Sequence, residues 1–190
     1  SSGLLDSLSI LREFSTRADQ FWTEAVSHLL LALGSLAIAI ILGLPLGILC
    51  FWVPKLRAIV LRTLSLIQTI PSLALFGILM LPLGYIATHV PLAAELGIRG
   101  IGTAPALIAL VLYSLLPIIR NTFTGISGVD PSIREAGRGM GMTDGQLLWK
   151  VEIPLALGVI FAGIRVATVI GVGVATIAAA VGAGGLGMFI

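Results

Sequence analysis

The residues able to do chemistry fall in a few places, and each implies a different task. The richest stretch runs Asp130-Pro131-Ser132-Ile133-Arg134-Glu135-Ala136-Gly137-Arg138-Gly139-Met140-Gly141 and continues through Met142-Thr143-Asp144 to Glu152-Ile153-Pro154. It is charged and punctuated by glycine and proline, a composition suited to contact with a partner surface. A second group, Gln68, Thr69, Pro71 and Ser72, interrupts a long apolar run. Proline inside a membrane helix frees a backbone carbonyl, which is tolerated only where protein or a watery cavity satisfies it. The pattern fits a pore-lining kink that flexes during gating and equally an internal packing kink. Arg62 and Arg165 also stand in apolar sequence. Arg62 is five residues past Arg57 and can snorkel to the nearer surface. Arg165 is eleven residues past Pro154, about 16 Å along a helix at about 1.5 Å per residue. Its cost at the centre of a bilayer is roughly 3 kcal/mol or more, so it is expected to face protein or a cavity.

Other patterns carry less. Gly182-x-Gly184-x-x-Gly187 spells a dinucleotide fingerprint, but it lacks the preceding strand and the following acidic residue, and reads as a close-packed glycine turn. Gly-x-x-x-x-Gly-Lys-Ser/Thr occurs nowhere, so the chain is not expected to hold ATP as a phosphate-binding loop does. Cys50 has no disulfide partner and no metal-ligand spacing around it. His28 and His89 lie far apart, at expected interfaces. No carboxylate pair or nucleophile–base pair recurs in apolar sequence. No catalytic residue, metal or cofactor is expected.

The elements that position these residues are membrane helices. Hydrophobic residues make up 57% of the 190 and charged residues 11%, with a net charge of +2. A soluble domain is about 45–50% apolar and about 25% charged. A soluble enzyme, a disordered chain and a nucleic-acid binder are therefore excluded. Glycine, at 23 residues, allows close helix approach in lipid. Spans of about 20 apolar residues are expected at Leu29–Val53, at Ala58 to about Tyr85, at Thr103–Ile119 and at Pro154 to about Val181, with 81–102 as a loop bearing a short surface helix. Trp22, Trp52 and Tyr85 fit interfacial belts, and Trp149 falls on the polar loop, where it can anchor against membrane or partner.

Charge fixes the orientation. Lys55, Arg57, Arg62, Arg120, Arg134, Arg138, Lys150 and Arg165 fall on one side, eight of the eleven basic residues, and Arg12, Arg17 and Arg99 on the other. The positive-inside rule makes the first side cytoplasmic. Residues 1–27 are then an extracytoplasmic segment, and 28–190 the membrane domain. The glycine-rich tail 182–187 reads as the approach to a further span.

The cytoplasmic loop, 120–152, is far longer than the usual 4–6 residues. Asp130 then Pro131 is an N-cap followed by proline in the first turn. A helix Pro131–Met140 is expected to end at Gly141, and Thr143 or Asp144 to cap a second helix to about Lys150. Here the residues resemble a family. Glu135, Ala136, Gly141 and Pro154 fall at the positions of Glu-Ala-Ala, three residues, Gly, nine residues, Ile-x-Leu-Pro, the signature loop of permease subunits of binding-protein-dependent ATP-binding cassette importers. Gly137 replaces the second Ala, Val151 the Ile and Ile153 the Leu. Gln68-Thr69-Ile70-Pro71-Ser72-Leu73-Ala74, Tyr113–Thr122 and Gly184-Gly185-Leu186-Gly187 resemble the glycine betaine, choline and carnitine permeases in particular.

The resemblance covers residues 28 to 190 and leaves out the first 27. It implies an all-α, polytopic transmembrane bundle with a five-helix core, four helices of which are visible here. It implies two permease subunits, identical or different, around one pore in a bacterial or archaeal plasma membrane. It also implies separate cytoplasmic ATP-binding subunits, seated on the loop through Glu135, Ala136, Gly137, Gly141, Ile153 and Pro154, and an extracytoplasmic substrate-binding protein. Gln68, Thr69, Pro71, Ser72 and Arg165 are the candidate translocation path. Aromatics are 6% of the chain and scattered, so no cation–π cage for a quaternary amine is legible. The rival reading, a gradient-driven carrier or channel, calls for acidic or histidine relays within the spans, and none is found.

Overall fold

A computed structural model describes the backbone of residues 2–95 and 97–189 and the side chains of 17–92, 95 and 97–189. Arg12, counted above for orientation, and Ile190 have side chains outside that set. The elements are α1 (Ser2–Trp52), α2 (Pro54–Thr69), α3 (Ser72–His89), α4 (Pro91–Glu95), α5 (Thr103–Ser127), α6 (Pro131–Gly139), α7 (Asp144–Leu147), a π turn (Leu148–Glu152), α8 (Ile153–Ala178) and 3₁₀ turns at Ala179–Val181 and Leu186–Phe189. No strand occurs among the described residues. Four segments are long and apolar enough to cross a membrane: Arg17–Trp52, Ser72–His89, Thr103–Ser127 and Asp144–Val181.

The second expected span is not one helix. Ala58–Tyr85 splits at Ile70-Pro71, where both residues are extended (φ −74°, ψ 128° and φ −56°, ψ 138°). Proline lacks an N–H and drives the residue before it out of the α region, and hydropathy is blind to that. The crossing helix is α3, which runs through Pro82 to His89, beyond the expected loop start at residue 81. The third helix likewise passes Ile119 and ends at Ser127. Its polar residues bond back to their own helix: Asn121 Nδ2 donates to the Pro117 carbonyl at 2.8 Å and Thr122 Oγ1 to that of Ile118 at 2.8 Å.

α5 is the axis of the bundle. Of its most apolar stretch 56% is buried, against 28%, 17% and 28% for the other three. It supplies Leu110 and Tyr113 to a cluster with Leu31, Phe76 and Ala175, Ile118 and Ile119 to one with Cys50, Leu64 and Ala167, and Ile126 to one with Leu148, Ala156 and Ile160. Two small-residue stripes let neighbours approach it. On α1, Ala39, Gly43 and Gly47 recur every fourth residue, and a Cβ at Gly47 would lie 2.6 Å from Thr122 Cβ. On α8, a Cβ at Gly163 would lie 2.6 Å from Asn121 Cβ and 2.7 Å from the Pro117 carbonyl oxygen. Small residues at i, i+4 spacing are how membrane helices gain contact where lipid offers no hydrophobic drive.

Candidate functional site

The polar loop is built from its caps. The Asp130 side chain accepts from the Ser132 backbone N–H at 2.8 Å, with Pro131 in the first turn of α6. That bond, then the Ser132 side chain, holds the Asp130 carboxyl below the usual carboxylate range. α6 closes one residue earlier than expected, at Gly139. Met142 N donates to the Gly137 carbonyl at 3.1 Å and Gly141 N to that of Arg138 at 2.9 Å, the paired bonds of a Schellman end. Gly141 takes φ +83° there. Thr143, not Asp144, caps α7 through a reciprocal capping box with Gln146. α7 is a single turn, and the π turn Leu148–Glu152 carries the chain into α8.

Glu135 and Ala136 are exposed on α6. Gly137 is buried, and a Cβ there would lie 2.6 Å from Leu147 Cδ1. Ile153 is partly buried against Ile126 and Leu148, and Pro154 is exposed in the first turn of α8.

Behind the exposed face lies a contact that spacing did not reveal. Arg134 Nε lies 2.6 Å from Glu152 Oε1, with side chains 20% and 4% exposed. The Nε–H is not aimed well enough to make a hydrogen bond, so the attraction is one of charge at short range. An Arg134 terminal nitrogen donates to the Ile126 carbonyl at 2.5 Å. The guanidinium carbon sits 5.3 Å from the centre of the Phe51 ring. One side chain thus joins α6 to the ends of α1, α5 and α8. Nothing in the order Arg134…Glu152 suggests this, because the two meet only once the loop folds back.

The second site lies at the α2–α3 break. Gln68 Nε2 donates to the Tyr113 carbonyl at 2.8 Å. That carbonyl is the one Pro117, four residues on, leaves without a helical donor. In return, the Tyr113 hydroxyl donates to the Ile70 carbonyl. Thr69 Oγ1 donates to the Leu66 carbonyl at 2.6 Å. Gln68 thus satisfies the carbonyl that Pro117 orphans, and Tyr113 satisfies the Ile70 carbonyl at the break; the Ile67 carbonyl, four places before Pro71, accepts from the Ile70 N–H at 3.1 Å instead. Gln68, Thr69, Ile70, Pro71, Ser72 and Tyr113, with Ile170 and Val174 of α8, line an open cavity of about 370 Å³.

Comparison with known proteins agrees with this architecture. Residues 39–190 match the model of the binding-protein-dependent transport system inner membrane component. The chain belongs to that family. Among its relatives, the carnitine transport permease protein OpuCB of Listeria monocytogenes is 41% identical over 96% of this permease and 76% of its own length. The osmoprotectant import permease protein OsmW of Salmonella typhimurium (strain LT2) is 50% identical over 86% and 71%. A glycine betaine/carnitine/choline permease protein, OpuCB of Bacillus subtilis (strain 168), is 40% identical over 92% and 73%. The Listeria match covers 182 residues, so similarity reaches into the first 27. A chain of the MetNI methionine ABC transporter, inward facing, superposes with TM-score 0.72 at 23% identity over 89% of the permease and 77% of that chain. The fold is that of an ABC importer permease, a multi-pass protein of the inner membrane. Membership implies ATP-binding and substrate-binding partners.

Of the permease residues singled out for a path, Gln68, Thr69, Pro71 and Ser72 meet at the cavity, and Arg165 does not. It is exposed on α8. Tyr113 was missed as a lining residue, although the carbonyl four places before any proline marks where a donor must come from. His28 is not interfacial in its packing. It is 3% exposed beneath Gly185, whose backbone N–H donates to Glu24 Oε2 at 2.5 Å. This pins the glycine-rich tail to α1.

Proposed function

We propose that this permease carries quaternary-ammonium osmoprotectants of the glycine betaine, choline and carnitine kind, driven by ATP hydrolysis on separate cytoplasmic subunits. The substrate class rests on the named transport functions of relatives 40–50% identical over most of the chain. The seat for the ATP-binding subunits is the 130–154 loop. The observation that carries it is the exposure of Glu135 and Ala136 on a capped helix whose opposite side is anchored by Arg134. The eight-to-three division of basic residues puts that loop in the cytoplasm.

The path runs past Gln68, Thr69, Pro71 and Ser72 at the helix break. Amide and hydroxyl groups there give a solute polar contacts without a fixed charge to trap a cation. Arg165 belongs to the face that meets a second permease subunit or the watery path, because an exposed guanidinium at that depth costs roughly 3 kcal/mol against lipid. An extracytoplasmic binding protein supplies the selectivity that no aromatic cage supplies here.

The test is uptake of labelled betaine, choline and carnitine into vesicles holding permease, ATP-binding subunits and binding protein. Uptake is expected to stop when the ATP-binding subunits are inactivated. Uptake that persists under that condition and follows an ion gradient overturns the reading in favour of a carrier.

A further inference from the structure

α6 is nine residues long, too short to hold itself as a helix in water. Short connections join it to α5 and α7. Its angle to the bundle is therefore set by what its inner face grips. That face offers two grips, Gly137 against Leu147 and Arg134 against three other elements. The Gly137 contact holds α6 to the rest of its own loop. Among the hydrogen bonds, ion pairs and ring contacts of the described residues, those that tie α6 to the membrane helices are Arg134's: to Ile126 in the last turn of α5, Glu152 in the turn that enters α8, and Phe51 near the end of α1.

The chemistry suits a rigid joint. A guanidinium is a planar fork that meets a carboxylate, a carbonyl and a ring face together, which an ammonium cannot do. The last carbonyls of α5 carry the negative end of its dipole and attract the cation. Glu152 is 4% exposed on its side chain, and a buried carboxylate is costly unless it is paired.

We propose that Arg134 and Glu152 form a positioning pair that makes α6 move as one body with the ends of α1, α5 and α8. A push on the exposed side of α6 is then delivered to α5 and α8, the helices that line the cavity with Tyr113, Ile170 and Val174. Without the pair, the glycine turns on either side of α6 absorb the same push. This inference rests on the reading of the loop as the seat of the ATP-binding subunits.

The test uses the assembled transporter in proteoliposomes, with ATP hydrolysis and solute uptake measured in the same sample. R134Q and E152Q each strand a buried group and can lower yield. The informative variant is R134M/E152L, which removes both charges and fills the space with apolar side chains, an exchange that proteins often tolerate. It is expected to accumulate, to retain the ATP-binding subunits and to hydrolyse ATP within about twofold of wild type. Solute carried per ATP should fall about tenfold. R134K, which keeps the charge without the fork, should fall between.

A wild-type ratio of solute to ATP in R134M/E152L overturns the proposal. So does failure of that variant to accumulate, or a parallel loss of hydrolysis and uptake, since either makes the pair a folding element. Ala136→Trp, run alongside, separates the two levels. If it leaves subunit retention and uptake intact, the seat itself is misassigned. If it sheds the ATP-binding subunits while R134M/E152L keeps the wild-type ratio, the positioning pair alone is wrong.

Discussion

The two polar regions of this permease solve opposite problems. The 130–154 loop has water on one side, so whatever a cap does not satisfy, water does. Its caps and turns are local, Asp130 to Ser132, Thr143 to Gln146 and Gly141 to Arg138, with Arg134 the long-range exception. At the α2–α3 break the neighbours are apolar helices, and the carbonyl freed by Pro117 and that of Ile70 at the end of α2 take their partners from within the protein. Those bonds are long-range, Gln68 to Tyr113 and Tyr113 to Ile70. A defect in the loop is thus repaired cheaply by solvent, whereas one at the break is repaired so only as far as water fills the open cavity there. The same nominal overlap should then have different consequences in the two places.

The largest difference is expected between two glycines. A Cβ at Gly163 would come within 2.7 Å of the Pro117 carbonyl oxygen and 2.6 Å of Asn121 Cβ. Backbone cannot step aside, so Gly163→Ala must push α8 off α5, at about 1–3 kcal/mol as for other overpacked cores. A Cβ at Gly137 would come within 2.6 Å of Leu147 Cδ1, the far end of a side chain that can rotate. Gly137→Ala should cost under about 1 kcal/mol, since a helix interior also favours alanine over glycine by roughly that amount. Melting temperatures of the two variants in detergent check this. Equal losses would mean that the loop is packed as rigidly as the membrane interior.

Next come the bonds at the break. Gln68→Leu strands the Tyr113 carbonyl and Tyr113→Phe strands that of Ile70. An unsatisfied buried group costs about 1–3 kcal/mol, so each should lower the melting temperature while the loop-cap change Thr143→Ala, about 1 kcal/mol at most with solvent in reach, lowers it less. If the break lies in a water-filled path, water replaces the lost donor and the two changes become equally mild. The ranking therefore reports whether the cavity is wet.

How much of this could be read in the sequence divides along the same line. The loop was legible nearly residue by residue, because caps and glycine turns are set by neighbours: Asp130-Pro131 starts a helix, and Gly141 ends it in the left-handed region. Three of the four crossings were legible from apolar length alone; the second, expected at Ala58–Tyr85, crosses as Ser72–His89. What composition could not show was contact across the fold. Ala58–Tyr85 sums to one apolar run, yet the lost N–H of Pro71 divides it. Arg134 and Glu152, Gln68 and Tyr113, Glu24 and Gly185 meet only after helices pack. The rule that a proline orphans the carbonyl four places earlier would have pointed to Tyr113 and its need for a donor. No comparable rule points to Arg134.

The turn at Gly141 ranks third. Nothing lies within 4 Å of a Cβ placed there, so any penalty is one of backbone alone. At φ +83° a side chain costs about 1–2 kcal/mol, while asparagine tolerates that region better than most. Gly141→Val should therefore reduce uptake more than Gly141→Asn, with both inserted normally. Equal uptake would mean that the angle of the turn does not matter to transport.

The smallest effect is expected at Asp130, and it has a definite sign. Its carboxyl is held below the usual range by the Ser132 backbone N–H, and then by the Ser132 side chain. A carboxyl whose pKa is depressed on folding contributes stability above its unfolded pKa, near 3.9, and loses it as pH falls through the lower folded value. The cap is therefore constant through neutral pH and weakens only in acid. Hydrogen exchange across residues 131–140, corrected for the intrinsic pH dependence of exchange, should show α6 loosening below about pH 4. Asp130→Ser keeps an oxygen cap but cannot titrate, so its α6 should show no such step. A step of equal size in both proteins would assign the acid sensitivity to another group.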